Sequence, residues 1–179
     1  MGRFLAAAAH SLNEADGSGN WPACGRMLER NTEEGIRMAR SDELREGVSE
    51  KTDELASALL GKALDVLAVD EELHVLLALG TEGGEIESLE FAEDGAEECL
   101  EGAHRKTAEA GPDVVRYALA YRGAIADETG AYQDAVILEF GERGYRSYSA
   151  FSLVDVTGDE DTFGWTAPEP AGEVEPLLA

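Results

Sequence analysis

The sequence predicts an α+β protein: a mainly antiparallel sheet of five strands with helices packed on it, preceded by a helical segment. Three observations carry this prediction. Three β-favouring runs between residues 113 and 156 are joined by short glycine-bearing turns, two further apolar runs flank Gly83-Gly84, and apolar residues recur at helical spacing on either side of that pair. The strands are therefore expected as a hairpin followed by a three-stranded meander.

The organisation follows from composition along the chain. Residues 1–40 are expected to form a helical segment packed on the core, residues 41–156 the α+β core domain, and residues 157–179 an acidic, proline-containing tail. A chain of 179 residues can bury enough surface for one core. In the first segment Asp16, Ser18 and Asn20 imitate a calcium loop, but Trp21 and Met27 stand where such a loop needs glycine and glutamate.

A long helix is predicted over residues 42–68. Ser41 can cap its first amides, and the acids that follow favour the positive end of the helix dipole. Beyond Gly47, leucines and alanines recur every three or four residues while charged residues take the opposite side. The spacing therefore predicts one buried and one solvated helix face.

The next elements are a hairpin and a second helix. Val75 to Leu79 form a compact apolar run, and alternation resumes at Ile86 after the Gly-Gly turn, which predicts two paired strands. Residues 73–79 could alternatively continue the preceding helix. A helix is then expected over residues 96–110, ended by Gly111-Pro112.

The meander occupies residues 113–156. Its first strand alternates bulky residues from Val115 to Ile125 with arginines and alanines from Arg116 to Ala124, which predicts one well-buried face. Turns at Asp127–Gly130 and Gly141–Gly144 are short enough to join antiparallel neighbours. The tail is predicted to be extended, and either docks through its few large apolar residues or stays mobile; these are Phe163, Trp165, Leu177 and Leu178.

This order of helix, two strands, helix and three strands resembles that of roadblock-type and related profilin-like domains. The resemblance is one of predicted topology. It implies a five-stranded antiparallel sheet with helices on one of its faces.

The charge balance is strongly acidic, with 38 acidic against 14 basic residues and a net charge of −24. Such a field repels phosphate backbones and anionic lipids, so neither nucleic acid nor membrane is expected as a partner. The acidity is explained by a solubilising surface, by adaptation to a salty cytoplasm, or by a face that docks on a basic partner or mimics nucleic acid. These readings stay open.

The two cysteines, Cys24 and Cys99, lie 75 positions apart and form no CxxC pair, so a disulfide scaffold or structural zinc site is not indicated. The apolar run from Phe4 to Ala9 is too short for a signal peptide, and the longest apolar run elsewhere is too short for a bilayer. The expected location is the cytoplasm.

Candidate chemistry is sparse. Two Glu-x-x-His pairs, Glu71 with His74 and Glu101 with His104, repeat the spacing that di-iron carboxylate bundles use, and they are remote candidates for a metal site. The predicted sheet argues against a four-helix site. No nucleophile elbow or lysine-bearing phosphate loop occurs, so no cofactor and no catalytic residue are predicted.

Four arginines are the candidate ligand-binding residues, because they concentrate positive charge in the meander of an acidic chain. Arg116 and Arg122 share a strand face with small alanines, Arg143 lies within the second turn, and Arg146 follows that turn. An arginine fork above small residues can hold a carboxylate or phosphate. The alternative is that these side chains pair across strands with Asp134, Glu139 and Glu142.

The sequence leaves three functional hypotheses. The first is a non-catalytic protein-interaction or scaffold module, with a protein partner or self-association as a homodimer through a sheet edge or an acidic helix face. The second is a domain that binds a small anionic ligand through the four arginines. The third is a metal-dependent enzyme that uses the Glu-x-x-His pairs.

Overall fold

The computed structural model describes residues 44–93, 95–127, 129–154 and 163–178 of the chain. They form two helices and one six-stranded antiparallel sheet, which confirms the α+β class. The helices are α1 (Glu50–Ala68) and α2 (Ala96–Ala108), and the strands are β1 (Val75–Thr81), β2 (Ile86–Phe91), β3 (Val114–Ala126), β4 (Tyr132–Glu142), β5 (Ser147–Leu153) and β6 (Glu169–Val174). The predicted N-terminal helical segment lies outside the described residues.

The strand order is β2-β1-β3-β4-β5-β6, so each hairpin brings sequence neighbours together. The predicted Gly-Gly hairpin and the three-stranded meander are both present, and β1 pairs with β3 to join them. The count of five strands is corrected to six. Residues 169–174, predicted to be part of an extended tail, pair with β5 as a further strand.

Both faces of the sheet are buried at its centre, one under each helix. Leu55 and Leu59 of α1 pack on Ala118, Ala120 and their neighbours, and we call this side the α1 face. Cys99 and Ala103 of α2 pack on alternate residues of the same strands, which define the α2 face. The helices therefore do not share one face, unlike the arrangement that the roadblock resemblance implied.

The small residues of β3 explain why its less apolar face is buried as well. Ala118 and Ala120 are completely buried because their short side chains allow α1 to approach the sheet closely. The six residues from Val75 to Gly80 on β1 are also buried throughout, as expected for a strand covered on both sides. Alternation in the sequence distinguished two faces, but it did not say that both are covered.

The described part of α1 begins at Glu50, later than the predicted residue 42. Gly47 has φ of +93°, outside the helical region, and the Oγ of Ser49 accepts a hydrogen bond from the Thr52 amide. Arg45 instead pairs through its backbone with the turn between β4 and β5, where it bonds to Gly144 and Arg146. Among the residues that the structure describes, neither helix is long and apolar enough to cross a membrane.

The C-terminal residues dock on the domain from residue 163 onward. Trp165 forms an isolated antiparallel β-bridge with Val154. Thr166 exchanges hydrogen bonds with Ser152 and Leu153, the last two residues of β5. After β6, Leu178 is buried among residues of the α2 face. Pairing with β5 makes residues 169–174 a strand, although the prolines and glycines of this segment predicted no regular secondary structure.

Candidate binding surfaces

Arg116 lies beneath α1 and is only 7% exposed. Its Nη1 donates a hydrogen bond of 2.8 Å to the Thr81 carbonyl, and its Nη2 lies 3.9 Å from Oε1 of Glu142 on the neighbouring strand. The facing residue is Gly80, where an added Cβ would lie 2.7 Å from the Arg116 Cγ. Glycine therefore makes the room that the buried arginine occupies.

The other three predicted arginines each have separate partners. Arg122 pairs with Asp134 at 2.6 Å on an exposed part of β3 and β4. Arg143 donates to the Val114 carbonyl at 3.2 Å. Arg146 pairs with Glu173 at 2.8 Å and with Glu46 at 3.5 Å. Within the described residues these side chains do not converge on a common cleft, and anionic-ligand binding stays a prediction without geometric support.

The oxygens of Glu142 hold the start of α1 to the sheet. Its Oε2 accepts hydrogen bonds from the hydroxyls of Ser49 and Thr52, the latter at 2.7 Å. A carboxylate is stabilised at a helix N-terminus by the free amides and the dipole. The anion position at the start of α1 is thus filled by the protein's own side chain.

The two Glu-x-x-His pairs lie in different settings. Glu71 and His74 belong to the loop between α1 and β1, while Glu101 and His104 lie on α2. Within the described ranges no group of three or more His, Cys, Asp or Glu side chains is placed to hold a metal ion. His104 contacts a different glutamate, Glu139 of β4, with 2.9 Å between its Nε2 and Oε2.

Glu139 is the centre of a small polar network between α2 and the sheet. Its second oxygen, Oε1, accepts a 2.8 Å hydrogen bond from the Tyr121 hydroxyl. The Glu139 side chain is 13% exposed and that of His104 is 34% exposed, so the network lies at the margin of the α2 face. Both carboxylate oxygens are satisfied, and the network fastens α2 to β3 and β4.

The network also changes the pKa values of its members. Burial opposes the charge on Glu139, but the hydrogen bonds from His104 and Tyr121 outweigh burial and lower the pKa of the carboxyl below its ordinary value. The hydrogen bond to Glu139 raises the pKa of His104, against the opposing effect of its partial burial. Burial, together with Glu139, raises the pKa of Tyr121. The imidazolium–carboxylate form is thereby favoured.

A strongly acidic surface of the described residues lies along β2 and the first turns of α2. No lysine or arginine occurs between Lys62 and Arg105. All the described acidic residues of the stretch from 82 to 101 are exposed, namely Glu82, Glu85, Glu87, Glu90, Glu93, Glu97, Glu98 and Glu101. We call β2 with these residues the acidic edge.

Strand β2 ends the sheet on this side. It pairs with β1, and among the described strands none pairs with its outer side, which therefore presents an edge row of backbone N–H and C=O groups in this part of the chain. Ile86, at the start of β2, is 60% exposed among the glutamates. The acidic edge therefore combines an open backbone, an apolar side chain and negative charge.

A groove runs beside the acidic edge, between the end of β2 and α2. Its volume is about 670 Å³, and its floor contains Phe91, Cys99 and Gly102. Glu90, Glu93, Glu98 and Glu109 line it together with Arg105 and Lys106. The groove offers an apolar floor with mainly acidic walls.

The opposite edge of the sheet is less suited to strand addition than β2. β6 contains Pro170, which lacks a backbone donor, and Gly172, which has φ of +135°. Glu169 and Glu173 add negative charge there. The two edges thus differ, and β2 is the regular one.

Comparison with family models, curated proteins and solved structures finds no match for this chain. The acidic edge was not singled out by sequence reasoning, although the 42 residues without lysine or arginine between Lys62 and Arg105 were a readable signal. The contact between His104 and Glu139 joins positions 35 apart, and no local spacing announces it.

Proposed function

We propose that the protein is a non-catalytic interaction module that binds a basic, extended segment of a partner protein along the acidic edge. The observation that carries this proposal is the open β2 strand set in a surface of exposed glutamates. An added strand gains main-chain hydrogen bonds from such an edge, and its alternate side chains supply specificity.

Charge selects the kind of partner. Lysine or arginine side chains on the incoming segment would lie beside Glu87 on one face of β2 or beside Glu90 on the other, with Glu85 just before the strand. Opposite charges across neighbouring strands are favourable, and complementary charge also accelerates encounter. Ile86 provides an apolar contact within the same strip.

The same features disfavour pairing between two copies through β2. A second β2 strand would bring its own glutamates against those of the first, and like charges directly opposite each other destabilise strand pairing. Charge repulsion therefore disfavours pairing of two acidic edges, whereas a basic segment is attracted to the acidic edge.

The groove extends the binding surface beyond the strand. Its floor at Phe91 and Gly102 can accept an apolar side chain that follows the basic segment, while Glu93 and Glu98 attract further positive charge. Binding is expected to weaken steeply with salt, because the attraction depends on exposed charges.

The test is the affinity of the whole chain for a fluorescein-labelled peptide of alternating lysine and valine. We expect saturable, salt-sensitive binding, lost in the triple variant Glu85→Lys, Glu87→Lys, Glu90→Lys. The matched control is Glu54→Lys, Asp65→Lys, Glu71→Lys, which changes net charge equally at exposed positions of α1 and the loop after it.

The control variant should retain most of the affinity. Equal losses in the two triple variants would show a non-specific attraction to total charge and would contradict the proposal. Binding of a glutamate–valine peptide with similar affinity would contradict it as well.

A further inference from the structure

The described residues do not cover the α2 face over its whole width. Near the far ends of β3, β4 and β5 it carries four large apolar side chains: Ile125, Ile137, Phe151 and Leu153. They are neighbours by register, since Ile137 faces Phe151 and Ala135 faces Leu153. We call these four residues the distal patch.

The distal patch lies outside both buried clusters. Tyr121, at its border, packs against the cluster beneath α2, but none of the four patch residues belongs to either cluster of the described residues. Each retains partial exposure. Ile137 packs over Gly123, where an added Cβ would lie 2.4 Å from its Cδ1, so the isoleucine occupies the space that the glycine leaves.

We propose that residues 1–40 of the same chain pack on the distal patch. The segment has the necessary apolar side chains, which are Phe4, Leu5, Trp21, Met27, Leu28, Ile36 and Met38. Monomeric soluble proteins rarely leave contiguous apolar surface of this kind uncovered without a function for it.

The segment is attached to the domain close enough to the distal patch to reach it. Arg45 is hydrogen-bonded to the turn between β4 and β5, the strands that carry most of the patch. From Tyr145 to Phe151 the distance along β5 is about 20 Å at the usual rise of a strand. Forty residues span about 60 Å even when fully helical, so the segment reaches the patch.

Charge favours this occupant over a second copy. Residues 1–40 contain five arginines and five acidic residues, so the entire net charge of −24 belongs to residues 41–179. A second copy would bring another strongly negative body against the first. The segment has no net charge and is therefore not repelled in this way. Its covalent attachment also gives it a high effective concentration at the distal patch.

The test uses the full chain with a nitroxide spin label on Cys24, which lies inside the segment; Cys99 is only 6% exposed and is protected from the reagent. The readout is the loss of amide NMR intensity. We expect most of the intensity to be lost at Gly123 and Ala135, with little loss at Ala58 and Gly61 of α1 on the opposite face.

Matched variants distinguish the patch from the general surface. Phe151→Asp is expected to restore the intensities at Gly123 and Ala135, whereas Tyr132→Asp should leave them reduced, because Tyr132 is 79% exposed and points to the other face of β4. Dispersed amide spectra verify that each variant is folded.

Three outcomes would overturn the proposal. The first is intensity loss at α1 instead of the patch, and the second is no loss at any described amide. The third is intensity loss in isotope-enriched chains without a spin label when they are mixed with spin-labelled chains, which would identify a second copy as the occupant. None of these bears on the acidic edge, since peptide binding there is measured separately and on a different surface.

Discussion

Gly141 of β4 lies where the sheet has no room for a side chain. An added Cβ would fall 2.1 Å from the Ser147 Oγ and 2.8 Å from the Tyr117 Cε1. Both neighbours are fully buried, so neither side chain has free space into which it can move. A glycine that sequence analysis assigned to a turn is thus a packing residue.

Gly141→Ala is therefore expected to lower the free energy of unfolding by about 1–3 kcal/mol, the usual cost of overpacking. Urea unfolding of the purified variant measures this change. The control is Gly61→Ala on α1, where no atom lies within 4 Å of the added Cβ. There the substitution should stabilise by about 0.5–1 kcal/mol, since alanine favours the helix more than glycine.

The ion pair between His104 and Glu139 makes stability depend on pH. Because the pKa of His104 is raised in the folded protein, its contribution is complete below its unfolded pKa of about 6.5 and disappears as pH rises through the folded pKa. The pKa of Glu139 is lowered, so Glu139 contributes to the free energy of unfolding above its ordinary pKa and loses this contribution as the pH falls through its folded pKa. The pair contributes most in the mildly acidic range.

We expect His104→Gln to destabilise the protein more at about pH 5.5 than at about pH 8.5. Urea unfolding at the two pH values measures the difference, and NMR titration of His104 should show the raised pKa directly. A loss of stability that is the same at both pH values would mean that His104 acts through packing alone.

Among the elements, α1 depends on side chains at its first turn. Ser49 caps the Thr52 amide at 3.2 Å and also donates its hydroxyl to Glu142 of β4. One residue therefore satisfies a free helix amide and positions the helix against the sheet. This double role was invisible in the sequence, where Ser41 looked like the better cap.

Ser49→Ala is expected to cost about 1–2 kcal/mol, because it removes the cap and a hydrogen bond to a charged group. Thermal or urea unfolding provides the measurement. The comparison is Ser88→Ala at an exposed position of β2, expected to stay within about 0.5 kcal/mol of the parent. Equal effects at the two serines would show that the contacts of Ser49 contribute nothing.

Elements with strong local signals could be predicted from the sequence, and elements that depend on distant partners could not. The hairpin around Gly84 and the turn at Gly130 follow from glycines with positive φ, and Asp127 holds the latter turn through bonds to Thr129 and Ala131. β6 contains proline and glycine, and it forms because β5 offers an edge.

The candidate surfaces divide in the same way. The acidity of residues 82–101 is visible in the sequence, but its location on an open edge requires the strand order. The arginines were conspicuous in the sequence, yet each finds its own nearby partner in the sheet, whether a carboxylate or a backbone carbonyl. Composition identifies unusual residues, and topology decides which of them meet.

For the whole molecule, the net charge of −24 implies repulsion that opposes the compact state. Added salt shortens the screening length from about 10 Å at 0.1 M to about 3 Å at 1 M, so repulsion between exposed carboxylates falls. The melting temperature is therefore expected to rise with sodium chloride over this range.

Calorimetry at the two salt concentrations measures this rise. The variant Glu85→Gln, Glu87→Gln, Glu90→Gln should show a smaller rise than the parent, because part of the repulsion has already been removed. A melting temperature that falls with salt would mean that favourable ion pairs such as Arg122–Asp134 outweigh the repulsion.

The strand order also bears on how the chain folds. Apart from β1 with β3, every neighbouring pair in the sheet consists of consecutive strands, so most of the sheet can grow by adding one hairpin at a time. Short sequence separation between contacting strands lowers the entropy cost of closing each loop and favours rapid folding. β6 follows β5 along the chain and pairs with its outer edge, so during synthesis that edge of β5 stays unpaired until residues 169–174 emerge.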